Sequence, residues 1–182
     1  MTRHTEKHIG ALRAPETARE PEPVLPARRD SATPRLRVQP FESAERIVSI
    51  ARSWIGTPYV HQASVKGAGC DCLGLLRGVW RELRGDEPEH VPPYSADWAE
   101  ATGADTLYRA LSRHLTEIPK TQAKPGDIAL FRMPPHGPAK HSGILANRDG
   151  HPTLIHARQN KRVSEEVLSR YWRAKLAFAF QL

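Results

Sequence analysis

The sequence has only two cysteines, Cys70 and Cys72, and a single residue separates them. A disulfide between them would close a strained ring, and no distant cysteine offers a cross-link. A cysteine-rich zinc site would need a second pair at the usual spacing. The sequence therefore argues against a disulfide framework and a zinc module, and we expect neither a metal nor another cofactor.

Long apolar runs are also missing: no stretch approaches the roughly 20 residues that span a bilayer. Residues 1–15 are charged and lack the apolar segment of a cleaved signal peptide. We therefore expect a soluble chain that is made in the cytoplasm and has no transmembrane segment. Its 182 residues are 39% hydrophobic and 7% aromatic, which suits one domain with a modest core.

The net charge is +7, so an anionic partner is plausible: nucleic acid, an anionic membrane face or a cell-wall polymer. Residues 1–40 carry eight Lys and Arg against five Asp and Glu, which leaves a net charge of +4 for residues 41–182. No basic helix interleaved with aromatics and no nucleic-acid-binding motif is present. We therefore expect no nucleic-acid partner, and DNA binding is the less favoured alternative.

Two regions differ sharply in composition. Residues 1–40 hold six prolines and almost no large apolar side chains, so burial cannot offset the entropy of ordering them. This region is predicted to be a disordered tail, or alternatively a docking arm that orders on a partner. Residues 41–182 are predicted to form the folded domain.

The spacing of apolar residues in 41–182 predicts an α+β fold with N-terminal helices packed on an antiparallel sheet. Predicted helices run from the N-cap Ser43 to Gly56, from Cys72 to Gly85, and through Leu107, Leu111 and Leu115. Residues 57–69 and 86–96 are predicted loops. Predicted strands cover 127–133, 141–147 and 153–158, with a hairpin turn at 147–150, and a short helix at 165–171 precedes a strand at 174–182.

Cys72 is the candidate nucleophile because it falls in the first turn of a predicted helix. The partial positive charge of a helix N-terminus is expected to lower the pKa of its thiol, and Asp71 can cap the helix. His141, on a strand, is the candidate general base, since imidazole titrates near neutral pH. The predicted hairpin places His156 beside His141, where it can orient the base.

Several segments match known motifs in order and spacing. They are Trp54-Ile55-Gly56-Thr57-Pro58-Tyr59, Gly69-Cys70-Asp71-Cys72-Leu73-Gly74-Leu75, Lys124-Pro125-Gly126-Asp127-Ile128, Lys140-His141-Ser142-Gly143-Ile144 and Leu154-Ile155-His156-Ala157. Together they resemble the NlpC/P60-type cell-wall peptidases over about residues 43–182, and within that family the peptidases of phage tails and gene transfer agents.

The resemblance implies a papain-like core in which Cys72 attacks an amide of a peptidoglycan stem peptide, commonly the bond from γ-D-glutamyl to diaminopimelate. His141 would activate the thiol, with His156 as the third residue. Tyr59 would line the substrate site and Asp71 would hold the amino end of the peptide. Leu73 departs from the family motif, which carries serine there, so the choice of bond is open.

The resemblance also implies a setting and leaves alternatives. An endopeptidase carried by a phage-like tail would act on the cell wall, with residues 1–40 available to contact tail proteins. One alternative is a structural tail component with an idle site, which the presence of Cys72, His141 and His156 argues against. Another is an amidase or acyltransferase of the same superfamily, which product analysis would distinguish.

Overall fold

The computed structural model describes residues 43–95 and 105–182. The predicted tail, residues 1–40, lies outside the described residues, so its disorder or docking role stays a prediction. The elements in chain order are α1 (Ala44–Ser53), β1 (Ser64–Val65), β2 (Gly69–Cys70), α2 (Cys72–Arg84), α3 (Thr106–His114), β3 (Thr116–Ile118), a short 3-10 helix (Lys120–Gln122), β4 (Ile128–Arg132), β5 (Ala139–Arg148), β6 (His151–His156), β7 (Ser164–Val167), α4 (Arg170–Lys175) and β8 (Leu176–Gln181). None of the helices in these ranges is long and apolar enough to cross a membrane.

The first two helices begin where their capping residues predict. Ser43 accepts a hydrogen bond from the Arg46 amide at 3.2 Å, and α1 starts at the next residue. Asp71 accepts one from the Gly74 amide at 2.7 Å, and α2 starts at Cys72. Each cap satisfies an amide that has no partner inside its helix, which fixes the helix start.

Six strands form one antiparallel sheet in the order β3-β8-β4-β5-β6-β7. The β5–β6 hairpin turns through Asp149 and Gly150, which both have positive φ, as a two-residue type I′ loop requires. The predicted hairpin is confirmed. The expected α+β layout, with helices and an antiparallel sheet, is confirmed as well.

Apolar side chains form two clusters. The larger one joins α1, α2 and α3 to the sheet and includes Trp54 and Leu75. The smaller one includes Phe131, Leu154 and Trp172, the last of these on α4. Neighbouring β5 residues enter different clusters, Ile144 the larger and Leu145 the smaller, as alternation along a strand requires.

The prediction of a helix at 165–171 is wrong. Residues Ser164–Val167 form strand β7, and the helix begins only at Arg170. Glutamates favour helix locally, but here the free edge of β6 offers a ladder of hydrogen bonds. Glu165 also accepts hydrogen bonds from Arg52 and Thr153, which hold it against its neighbours.

Two further differences concern very short strands. The predicted loop 57–69 contains a small hairpin of β1 and β2, and β3 was not predicted. Both involve strands of two or three residues, too short to show a periodic pattern. The remaining predicted strands lie within two residues of their observed bounds.

Candidate active site

Cys72 is the first residue of α2, and its side chain meets strand β5. The sulfur lies 3.7 Å from the carbonyl oxygen of Lys140. The hydroxyl of Ser142 donates a hydrogen bond of 3.2 Å to the carbonyl oxygen of Cys72. The helix start therefore contacts the two residues that flank His141. Within the described ranges, the thiol donates its hydrogen bond to this carbonyl and not to an imidazole.

The expectation of a lowered thiol pKa is wrong for this structure. Burial raises the pKa of the Cys72 thiol, and the negative charge of Asp71 raises it further. Hydrogen bonds from Ser142 and from the Leu73 amide oppose this shift but do not reverse it. The favourable field of a helix N-terminus is thus outweighed by the loss of water and by an adjacent carboxylate. The resting thiol is protonated at neutral pH.

Alkylation should report this state directly. In a Cys70→Ala variant, we expect iodoacetamide to modify Cys72 slowly at pH 7, at a rate that keeps rising above pH 9. A raised pKa keeps the thiolate fraction small until the pH approaches that value. The rate is measured by mass spectrometry between pH 5 and 10. A plateau of fast alkylation from pH 5 to 8 would instead indicate a preformed thiolate–imidazolium pair.

The two histidines lie together on neighbouring strands. Nε2 of His141 is 2.9 Å from Nδ1 of His156, as the predicted hairpin requires. The indole of Trp172 stacks on the His141 ring at 5.4 Å between centroids and meets His156 edge-on at 4.9 Å. The ring centroid of Phe131 lies 5.9 Å from that of His141. These rings restrict the rotation of both imidazoles.

Gly143 makes room for the histidine pair. A Cβ at this position would stand 3.0 Å from the Cβ of His156 and 2.7 Å from a methyl group of Leu154. It would also stand 2.8 Å from the backbone carbonyl oxygen of Ile155, which is too short without displacement of β6. The absence of a side chain at Gly143 therefore allows β5 and β6 to approach closely beside the histidine pair.

Both imidazoles are neutral at neutral pH. Burial, followed by the nearby His156 and Arg158, lowers the pKa of His141 to about 3, while Glu166 opposes them. Burial lowers the pKa of His156 to about 4, with a second contribution from Arg158. Together with the protonated thiol, the resting site therefore carries no charge on its three candidate catalytic groups.

Sequence reasoning missed one charged residue at this site. A carboxylate oxygen of Glu166 lies 2.6 Å from Nε2 of His156, at an angle that does not make a directed hydrogen bond. Glu166 lies on β7, in the segment predicted as helix, so its position opposite β6 could not be read from the sequence. The signal that could have found it is the run Val163–Leu168, since an apolar residue at each end also suits a short strand.

The model of the NlpC/P60 family matches residues 56–180. The chain belongs to the NlpC/P60 family.

Relatives and solved structures agree with NlpC/P60 membership. The chain is 28% identical to the γ-DL-glutamyl hydrolase of Bacillus subtilis (strain 168) over 143 residues, which are 78% of this chain and 30% of that protein. A solved structure of the NlpC/p60 domain of the peptidoglycan hydrolase SagA superposes on this chain with a TM-score of 0.52. The two sequences are 27% identical, and the match covers 77% of this chain and 99% of the SagA domain.

An NlpC/P60 protein from Bacillus cereus is 20% identical and covers 77% of this chain and 40% of its own, with a TM-score of 0.54. These matches confirm the papain-like α+β fold. The chain spans about 30% of the length of the curated Bacillus subtilis relative, so it corresponds to one part of that protein.

Three further residues were predicted to contact substrate in this NlpC/P60 domain. The backbone of Tyr59 forms an isolated β-bridge with that of Cys70, and its side chain is partly buried against the larger cluster. Burial raises the pKa of its phenol to about 12, so it is a neutral donor. Leu73 is partly buried and lines a cavity of about 510 Å³, to which Trp80 and Leu107 contribute. Leu73 thus presents an apolar side chain at the position where the family motif carries the hydroxyl of serine.

Asp71, the third of these residues, is buried and already occupied. Its carboxylate accepts hydrogen bonds from the amides of Gly74 and Gln62, each at 2.7 Å, and from the Tyr94 hydroxyl at 2.6 Å. Its exposed fraction is 2%. The predicted capping role is confirmed. The predicted contact with the amino end of a peptide stays a prediction, and it requires Tyr94 to leave the carboxylate.

Proposed function

We propose that this NlpC/P60 domain is a peptidoglycan hydrolase, an endopeptidase that cleaves stem-peptide amide bonds with Cys72 as nucleophile. His141 is the general base and His156 orients it. The observation that carries the proposal is the junction of α2 with β5, where the sulfur lies 3.7 Å from the Lys140 carbonyl. The SagA domain and the Bacillus subtilis relative, named as hydrolases of peptidoglycan and of γ-glutamyl bonds, support the substrate class.

The thiol lies close to the backbone of the residue that carries the proposed base. The Lys140 carbonyl oxygen and the Cα of His141 share one planar peptide unit and are roughly 3 Å apart. The sulfur therefore lies within roughly 7 Å of that Cα, given its 3.7 Å contact with the carbonyl oxygen. The proposal requires the thiol and the imidazole to come into hydrogen-bond contact in the substrate complex, where catalytic hydrogen bonds often tighten.

Because the resting groups are neutral, the proton moves during the attack. The sulfur of Cys72 bonds to the amide carbon as its proton passes to a ring nitrogen of His141. The C–N bond then breaks, and the imidazolium returns this proton to the leaving amine. Water, deprotonated by the same imidazole, hydrolyses the thioester and restores the thiol.

The bond favoured by this proposal is the amide that links γ-D-glutamyl to diaminopimelate. The name of the Bacillus subtilis relative supports a γ-glutamyl amide. Leu73, which lines the cavity of about 510 Å³, carries a branched alkyl group where the family motif has serine, and the proposal gives it an apolar contact with the peptide. The proposal also places the domain on a phage-like tail that acts on the bacterial wall, with residues 1–40 docking to tail proteins.

Digestion of purified sacculi tests the function and the bond together. We expect the full chain to release soluble fragments whose masses show cleavage after γ-D-glutamate. Sacculi of several wall chemistries serve as parallel substrates, and heat-treated protein is the control. Fragments cut at the bond between the sugar and the first alanine would replace the endopeptidase with an amidase. Absence of release from every wall type would contradict the proposal.

A further inference from the structure

Glu166 lies beside the histidine pair but belongs to none of the sequence motifs. It is paired with Leu154 across β6 and β7, while His156 is paired with Ser164. Directly paired residues share a face of the sheet, so Glu166 and His156 are diagonal neighbours on one face. One carboxylate oxygen lies 2.6 Å from Nε2 of His156, whose exposed fraction is zero.

Other groups hold this carboxylate in place. The indole N–H of Trp172 donates a hydrogen bond of 3.0 Å to Glu166. The guanidinium of Arg158 lies 3.6 Å from the same carboxylate oxygen. Trp172 also stacks on His141, so one indole fixes both the base and the carboxylate. Glu166 is therefore anchored on two sides and meets His156 on a third.

The contact determines which nitrogen of His156 carries the proton. An unprotonated Nε2 would hold its lone pair within 2.6 Å of a carboxylate oxygen, and two negative centres this close repel each other even when the oxygen lies off the lone-pair direction. Nε2 therefore carries hydrogen, and Nδ1 of the neutral ring is an acceptor. Its neighbour at 2.9 Å, Nε2 of His141, must then be the donor.

We infer that Glu166 is a positioning residue that sets the tautomers of both histidines and so leaves Nδ1 of His141 as the nitrogen that accepts the thiol proton. Its effect on catalysis rests on the proposed function, whereas the tautomers are a property of the folded protein. When His141 gains the thiol proton, the carboxylate also stabilises the positive charge through His156, against the opposing charge of Arg158. The ring of His156 thus connects Glu166 to the base, His141.

Nuclear magnetic resonance of the protein labelled with 15N-histidine tests the inference without any activity. In the wild type at pH 7, we expect both His141 and His156 to show the Nε2–H form in long-range 1H–15N spectra. In Glu166→Ala, we expect His156 to show a mixture of both tautomers, and His141 with it. A wild-type His156 protonated at Nδ1 would overturn the inference.

Glu165→Gln is the matched control. It removes the same charge from the adjacent residue of β7, whose carboxylate contacts Arg52, Arg148 and Thr153 instead of the histidines. We expect it to lower stability yet leave both tautomers unchanged. A tautomer change in this variant equal to that in Glu166→Ala would also overturn the inference.

Kinetics separate a positioning role from a purely structural one. On an isolated stem peptide, Glu166→Ala is expected to lower kcat by roughly 10- to 100-fold, as loss of an orienting partner commonly does, while KM changes little. An unchanged kcat in folded Glu166→Ala would contradict the role in catalysis. If the wild type cuts no peptide, the proposed function fails, but the tautomer measurement still decides the assignment of Glu166.

Discussion

Replacing Cys72 with alanine is expected to abolish the release of peptides from sacculi. The proposed reaction forms a bond between this sulfur and the amide carbon, and alanine offers no nucleophile at this position. Loss of a catalytic nucleophile commonly lowers kcat by about 10⁴-fold or more. Digestion of sacculi followed by mass spectrometry measures the loss. The variant removes one partly buried sulfur, so the fold is expected to persist.

Cys70→Ala is the matched control for this prediction. Cys70 is completely buried in the larger cluster, and burial raises the pKa of its thiol to about 12. A buried, protonated thiol is a poor nucleophile, so this variant is expected to keep wild-type activity within a few-fold. Activity that persists in Cys72→Ala but disappears in Cys70→Ala would transfer the reaction to the other cysteine and contradict the proposed mechanism.

Local signals in the sequence predicted the parts of the site that depend on nearby residues. Ser43 and Asp71 are capping residues directly before periodic apolar segments, and both helices begin at the next residue. The turn at Asp149 and Gly150 fixes the register of its hairpin, which is why His156 could be placed beside His141. Each of these features is determined within about 15 residues, where capping and turn chemistry act.

Features that depend on distant residues escaped prediction. Glu166 meets His156 only because β7 pairs with the edge of β6, a contact that outweighs the helical preference of two adjacent glutamates. The thiol pKa likewise depends on how β5 and Asp71 enclose Cys72, because burial opposes the field of the helix. The position of Cys72 at a helix start predicts one contribution to its thiol pKa, whereas burial and the neighbouring charges of the folded protein determine the direction of the total shift.

Gly78 in α2 is expected to resist substitution, against its intrinsic helix propensity. Alanine favours a helix interior over glycine by about 1 kcal/mol, so Gly78→Ala alone would be stabilising on an exposed face. Here a Cβ would lie 2.0 Å from a ring carbon of Trp54, whose indole is buried and donates to Glu82 at 2.7 Å. We expect Gly78→Ala to lower the free energy of unfolding by about 3 kcal/mol, measured by urea denaturation.

The effect of Gly78→Ala on the free energy of unfolding is expected to change sign when the Trp54 indole is absent. Trp54→Leu removes the ring atoms that a Cβ at position 78 would strike. Adding Gly78→Ala to that variant therefore causes no collision, and the helix gains the higher propensity of alanine. We expect the double variant to be more stable than Trp54→Leu by about 0.5 to 1 kcal/mol. An equal loss of stability in both backgrounds would contradict the collision with Trp54. The difference between the backgrounds therefore measures the contact that holds α1 and α2 together behind the Cys72 helix start.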